Sequence, residues 1–357
     1  MENRNNVPVP LPFDRAGRPQ IVVVGNGLER TDDSGGSPVD AGKSWDAMVE
    51  SLKDPDCIAH RDSDLQSIPF PLKYHLLSSS KHAPYPLCAA DRRKEKTALA
   101  RAAQSLDTVT NDALRRLRAL NADHIFTTNY TYSLERAFHG SKNMLDSKTR
   151  SAIRFNYCRE LTKTGRQRLE RDYRLFTGYL AKNADGSRVG LWHIHGECTV
   201  AGSIILGHDG YGRLLSRIVP VCGDRHKYHD LRPGKPYAFS SWPELFLFGD
   251  VYILGLGLGI SEFDLWWLLR RKQREEKATG RVYFYTNDVD KAGKNDYLGR
   301  DLMLTALGVL VNPGGLARDR DYGRFYARAL EDIGCRIAEN RSARQGGAGL
   351  PPTPGSL

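Results

Sequence analysis

Apolar residues follow two rhythms along the chain. "QIVVVGNG" is an unbroken apolar run that ends on a glycine turn, and "ADHIFTTNY" is a second run that ends on polar residues; both read as strands. "SIILG", "DVYILGLGLG" and "RVYFYTND" give three more, and "GVLVNP" a sixth. Between them the spacing predicts helices over Ser44–Leu52, Glu95–Leu120, Tyr132–Phe138, Leu161–Leu180 and Ser261–Lys277. Strands alternating with helices predict an α/β fold with a doubly wound, mostly parallel sheet and helices on both faces. Residues 20–341 then form one domain, with a helical insertion around 140–190. Residues 1–19 and 342–357 read as a mobile N-terminal tail and a disordered C-terminal tail, because such Pro-, Asn- and Gly-rich segments bury too little apolar surface to offset chain entropy.

Ligands of a sheet of this kind bind at the carboxyl ends of its strands. The unusual glycine and polar residues fall where the strands run out: Gly25–Gly27, Thr127–Asn129, Gly255–Gly259 and Thr286–Asp288. A shared crevice is the simplest reading. "VVVGNGLER" lets the backbone turn tightly at Gly25, Asn26 and Gly27 and approach a phosphate, or it is a plain strand-to-loop turn. "YILGLGLGISEFD" repeats the arrangement at Gly255, Gly257 and Gly259, with Ser261 as a candidate N-cap and Asp264 at capping-box distance. Asn129 follows Thr128 just past a strand end, where it could hold a ligand or cap the next helix; Asn129-Tyr130-Thr131 also matches a glycosylation acceptor.

"LWHIHGE" supports three readings. His193 and His195 could recruit a metal together with Glu197, Cys198 or His208. On a strand they would share a face and could be hydrogen-bonded core residues. A histidine beside a glycine could also be the acid/base group of the crevice, since its pKa lies near neutrality.

Composition narrows the classes. An apolar fraction of 40% against a charged fraction of 26%, with no apolar run near the roughly 20 residues that cross a bilayer, excludes a membrane-spanning protein from the expectations. The first residues lack the basic segment and apolar run of a secretory signal, so a cytoplasmic location is expected. Six scattered cysteines include no C-x-x-C pair for a zinc ribbon or redox dithiol. The net charge of +10 favours anionic partners, but the basic residues are interleaved with acidic and apolar ones at helical spacing. Direct nucleic-acid binding is therefore not expected.

Taken in order, "GNGLE", "TTNYT", "HIHG", "IILG" and "GLGISEFD" resemble the motif series of the bacterial abortive-infection H family, which is similar to the sirtuin-like NAD-cleaving domains of anti-phage defence. The resemblance spans about Ile21 to Asp288 and implies a Rossmann-like, sirtuin-like fold with NAD as substrate and no metal. It assigns catalysis to Asn129 and His195, flanking the nicotinamide ribose. It assigns NAD binding to Gly25, Asn26 and Gly27 in a first loop, to Thr128, to Gly255, Gly257, Ser261 and Asp264 in a second loop, and to Asn287 near the adenosine ribose. Two departures stand out. Thr131 replaces the aspartate of deacylating sirtuins, which also carry a four-cysteine zinc module, and the alanine and serine of their first loop are replaced by Asn26 and Glu29. The first lowers protein deacylation relative to simple NAD cleavage; the second touches only the first-loop contact.

The implied chemistry suits these residue types. The nicotinamide leaving group is already cationic and needs no acid, so the protein must position water and ribose and supply a base. His195 is expected as that base, with His193 structural. The expectation is an NAD+ hydrolase acting as an abortive-infection effector, kept inactive until infection. It would be a homo-oligomer, candidate partner surfaces including the insertion's basic run "KTGRQRLERDYR", and would answer to a second defence protein that senses infection. The alternatives are an ADP-ribosyl or acyl transferase acting on protein, and a non-catalytic NAD-sensing module.

Overall fold

The computed structural model describes residues 18–31, 72, 89–106, 111–140, 143–156, 175–223, 239, 241–259, 262–275, 280–287, 298–319 and 321–345. Its strands are β1 (Gln20–Val24), β2 (His124–Thr127), β3 (Arg154–Asn156), β4 (Thr177–Lys182), β5 (Arg188–His193), β6 (Asp250–Leu254), β7 (Val282–Tyr285) and β8 (Leu310–Val311). They form one sheet in the order β3-β4-β5-β2-β1-β6-β7-β8. β1 is buried along its whole length, which its unbroken apolar sequence permits, and it pairs in parallel with β2 on one side and β6 on the other. The pairs β2–β5, β6–β7 and β7–β8 are also parallel, whereas β3–β4 and β4–β5 are antiparallel. The fold is thus a mixed α/β sheet, mostly parallel. Strand order reverses at β1, and the ends of β1, β2 and β6 mark the switch point at which a doubly wound sheet binds its ligands.

The helices are α1 (Asn26–Glu29), α2 (Ala89–Leu106), α3 (Asp112–Arg116), α4 (Ser133–His139), α5 (Ser147–Ile153), α6 (Gly207–Cys222), α7 (Trp242–Phe248), α8 (Phe263–Arg274), α9 (Leu298–Ala306) and α10 (Tyr322–Gln345). Alternation along each strand divides the core into two layers. Val22, Val24, Ile125, Leu191, Tyr252, Leu254 and Tyr285 face one layer with Leu99 of α2, Leu134 of α4 and Phe325, Leu330 and Ile333 of α10. Ile21, Val23, Phe126, Trp192, Val251, Ile253 and Phe284 face the other with Leu214 and Ile218 of α6, Trp242 and Leu245 of α7 and Leu265, Leu268 and Leu269 of α8. In this second layer the Nζ of Lys272 donates to the carbonyls of Phe246, Leu247 and Gly249 at 3.1, 2.8 and 2.6 Å, closing the C-terminus of α7 with a cation from α8. Among the described residues no helix is long and apolar enough to cross a membrane.

Several expected elements are corrected. "SIILG" is no strand: Ala201–Ser203 is a 3-10 turn, and Gly207, at φ +67°, turns the chain into α6. The helix expected over Glu95–Leu120 is divided, because the Asn111 side chain accepts from Leu114 N–H and starts α3 afresh. Of the helix expected over Leu161–Leu180, residues 161–174 lie outside the described ones, while Thr177–Leu180 belongs to β4. Cross-strand pairing of Tyr179 with Leu191 decides this, and a tight turn with Gly186 at φ +81° returns the chain into β5. Within the expected helical insertion the described residues therefore form one short helix, α5, and three strands that extend the sheet. The helix expected over Ser44–Leu52 lies outside the described residues, and α10 runs past Ser342, where the tail was expected to begin.

Candidate active site

The exits of β2 and β5 are tied together. Thr127 pairs with His193 at the last rung, Ile194 N–H donates to the Thr127 carbonyl at 3.0 Å, and Cys198 N–H donates to the Tyr130 carbonyl at 2.9 Å. The Tyr130 hydroxyl donates to the Ile205 carbonyl at 2.5 Å. Asn129 and His195 consequently stand two residues beyond the same rung on neighbouring strands.

β5 ends at His193, and a turn at Gly196, φ +99°, redirects the chain. A Cβ there would lie 2.3 Å from the Ser203 carbonyl oxygen, so only glycine fits. The two histidines therefore do not share a face, contrary to the expectation from a continuous strand. His193 turns into the α4 layer, its ring edge-on to Tyr132 and Tyr179. His195 turns the other way, edge-on to Tyr211 of α6.

Each histidine meets its own buried carboxylate. His193 Nδ1 lies 2.9 Å from the Asn129 carbonyl and Nε2 lies 3.0 Å from Glu135 Oε1. A carbonyl can only accept, so Nδ1 carries a proton, and the Glu135 carboxylate accepts a hydrogen bond from a second proton on Nε2. Burial works against this cation, but the charge and hydrogen bond of Glu135, with Glu197 and the Asn129 carbonyl, outweigh it and raise the pKa to about 9. His193 is thus an imidazolium that pins the Asn129 main chain. His195 Nε2 lies 2.9 Å from Asp264 Oδ2. Here too burial pulls downward, and Asp264's charge and hydrogen bond, with Glu262, leave the imidazole above its ordinary value. With Nε2 engaged, Nδ1 is the nitrogen left for chemistry.

Asn129 is 4% exposed, yet neither its Oδ1 nor its Nδ2 has a hydrogen-bond partner, and the neighbouring Thr128 hydroxyl is likewise unpartnered. Leaving such groups buried and unpaired costs about 1–3 kcal/mol each, which is the signature of a place where a ligand supplies the missing bonds. The two glycine turns meet each other. Gly25 N–H donates to the Leu254 carbonyl at 3.1 Å and Gly27 N–H to the Gly255 carbonyl at 2.8 Å. Those amides are already spent, so the first glycine turn contributes close backbone approach, whereas Gly257 borders open space. Asn26 opens α1 beside them.

The remaining expected positions are dispersed around this centre. Ser261 and Asp288 lie outside the described residues. The N-cap of α8 is Glu262, so Ser261 is not the cap, and Asp264 is committed to His195. Asn287 and Asp319 exchange two hydrogen bonds, 2.5 Å from Nδ2 to the Asp319 carbonyl and 2.6 Å from Asp319 N–H to Oδ1. Two of the three residues at which the sequence departs from the resembled deacylating sirtuins bond to each other: the Thr131 hydroxyl lies 2.9 and 2.8 Å from the Glu29 carboxylate oxygens.

Two groups, Glu135 and Arg300, escape a reading of the sequence, and a third, Glu197, is read there only as a possible metal ligand. Glu135 is fully buried on α4, but a glutamate inside "SLERAFH" carries no local sign of it. Glu197 accepts from the hydroxyls of both Tyr132, at 2.6 Å, and Tyr179, a network that only the folded β4–β5 hairpin assembles. Arg300 laces the second glycine turn to the exit of β7, its Nη1 donating to the Gly257 carbonyl at 2.7 Å and its Nη2 to the Thr286 hydroxyl at 3.0 Å. Among the described residues no group of three His, Cys, Asp or Glu side chains is placed to hold a metal ion.

Residues 123–298 match the family model of the SIR2-like domain. That span includes Asn129, His195, the second glycine turn and Asp264, and it begins after the first glycine turn. The match supports a sirtuin-like family, and with it an NAD-dependent catalytic or sensing role. No curated protein matches the chain.

Proposed function

We propose that the protein is an NAD+ hydrolase that cleaves the bond between nicotinamide and ribose. The observation that carries this reading is the pairing of an unpartnered, buried Asn129 amide with a carboxylate-steadied His195 on neighbouring strand exits. The residues fit the substrate: the amide and the Thr128 hydroxyl can take ribose hydroxyls or water, and the open side of Gly257 admits a close-lying phosphate. In the reaction the C1′–nitrogen bond breaks with its electron pair leaving on nicotinamide, and a water oxygen bonds to C1′. His195 Nδ1 accepts the water proton, and Asp264 at Nε2 steadies the resulting imidazolium.

Asn129 and His195 are only 4% and 2% exposed, which supports an effector held closed until it is triggered. The motif resemblance to the abortive-infection H family supports anti-phage defence as the setting, with homo-oligomerisation or a second, infection-sensing protein as the trigger.

Nicotinamide release from NAD+ tests the reading. Wild-type protein releases it, whereas Asn129→Ala and His195→Ala fall at least about 100-fold, the scale of a lost acid–base group. Asn129→Ala stays folded, within about 1 kcal/mol of wild type, because its side chain makes no hydrogen bond to lose. Because the base must be neutral and its pKa is raised, activity climbs with pH through a midpoint above the ordinary imidazole value. No release by wild type with or without phage infection of the expressing cells overturns the proposal.

A further inference from the structure

Among the described residues three that are not glycine have a left-handed backbone: Asn121, Leu258 and Asn312. Asparagine visits that region readily because its short polar side chain bonds locally, whereas a leucine there is strained. Leu258, at φ +49°, lies in the second glycine turn, with Gly257 and Gly259 on either side of it but no glycine at the position itself. Its side chain is 1% exposed and belongs to the second core layer, an anchorage that glycine would lack.

Bonds on both sides hold this residue. After it, the Gly259 carbonyl accepts from Trp266 Nε1 at 3.0 Å and from Glu262 N–H at 3.2 Å. Before it, the Gly257 carbonyl accepts from Arg300 Nη1 at 2.7 Å. In a planar trans peptide the N–H points opposite to the carbonyl, so the bond from Arg300 also fixes the direction of the Leu258 N–H. Arg300 is itself immobilised over the Phe284 ring. Its Nη2 donates to the Thr286 hydroxyl at 3.0 Å and to Asp301 Oδ1 at 2.9 Å, and its Nε donates to the same carboxylate oxygen at 3.1 Å. These bonds leave at most one of the guanidinium's N–H groups for a ligand, so its influence on a ligand runs mainly through the turn.

We propose that Arg300 is a positioning residue of the second glycine turn: its bond to the Gly257 carbonyl holds Leu258 left-handed and keeps the turn in the shape against which a phosphate lies at Gly257. A strained residue persists only where its surroundings over-determine it. Without the bond, the peptide before Leu258 is free to rotate, the leucine relaxes to negative φ, and the turn changes with it. The phosphate would be the pyrophosphate of NAD+, and that consequence rests on the hydrolase reading's choice of substrate; the hold on Leu258 does not.

Urea denaturation of Leu258→Ala and Leu258→Gly reads the hold, since both lose the buried side chain and differ in the cost of positive φ. With Arg300 in place, Leu258→Gly unfolds at the higher urea concentration, the reverse of the order within a helix or strand. Adding Arg300→Met, or Arg300→Gln where the methionine variant does not fold, closes that gap. Leu258→Gly no more stable than Leu258→Ala overturns the proposal without recourse to Arg300, and so does a gap that persists once Arg300 is replaced. ADP-ribose, which carries the pyrophosphate and lacks nicotinamide, is the calorimetric probe of the turn. Arg300→Met weakens its binding about 10-fold, and by less when Leu258→Gly is also present, because glycine keeps positive φ unaided. KM for NAD+ rises in step while kcat holds. An equal loss of ADP-ribose binding in both backgrounds, or no loss, overturns the proposal. Binding that follows this pattern in protein that releases no nicotinamide upholds it and removes the hydrolase reading.

Discussion

His193 and His195 are separated by one residue, yet they serve opposite layers because β5 stops between them. The sequence shows two histidines and a glycine; it does not show where pairing with β2 ends, and so it places both on one face. Asn129 was legible as the polar residue at a strand exit, and Asp264 as an acid at the start of a helix. That Asp264 reaches His195 was not, because the two are 69 residues apart and meet only when β5 and α8 are assembled. His193 makes a prediction of its own. Its pKa rises from 6.5 to about 9 on folding, so the stabilisation it brings is full below about pH 6.5 and is lost as pH rises through about 9. Urea denaturation should show that loss in wild type between about pH 7 and 9.5, and a His193→Phe, Glu135→Leu double variant should lack it.

The two glycine turns behave as one element. A Cβ on Gly25 would lie 2.5 Å from the Gly255 carbonyl oxygen, and one on Gly27 would lie 2.8 Å from the same atom, whereas one on Gly257 would meet nothing within 4 Å. Gly25→Ala and Gly27→Ala should each cost about 1–3 kcal/mol by forcing the turns apart, and Gly257→Ala should be near neutral in the same denaturation experiment. The apolar runs of β1, β2, β6 and β7 made these turns legible, because a strand buried on both faces needs no partner to announce it. β4 and α6 were hidden by the opposite circumstance. Thr177–Lys182 becomes a strand only through its pairing with β3 and β5, and "SIILG", which leads into α6, has strand composition but finds no sheet edge to join.

At the level of the whole molecule, the reversal of strand order at β1 brings the exits of β2 and β5 and the helix after β6 to one end of the sheet, where His195 meets Asp264 and where a sheet of this kind binds its ligand. A ligand that binds this assembled crevice and not the unfolded chain must stabilise all of it. NAD+ should therefore raise the melting temperature of His195→Ala, which cannot consume it, by the equivalent of about 2.7 kcal/mol at roughly 100-fold excess over Kd. Such a rise in a protein whose wild type releases no nicotinamide would mark a sensor.

The contact between His195 and Asp264 also has a bearing on how the chain fails. Its imidazole belongs to the half of the sheet on one flank of β1 and its carboxylate to the half on the other. Should either flank detach, the proposed proton acceptor loses its brace. Under the proposed activity a damaged or half-made copy would be disarmed, a useful property in a chain whose product is the exhaustion of its own host's nucleotide pool.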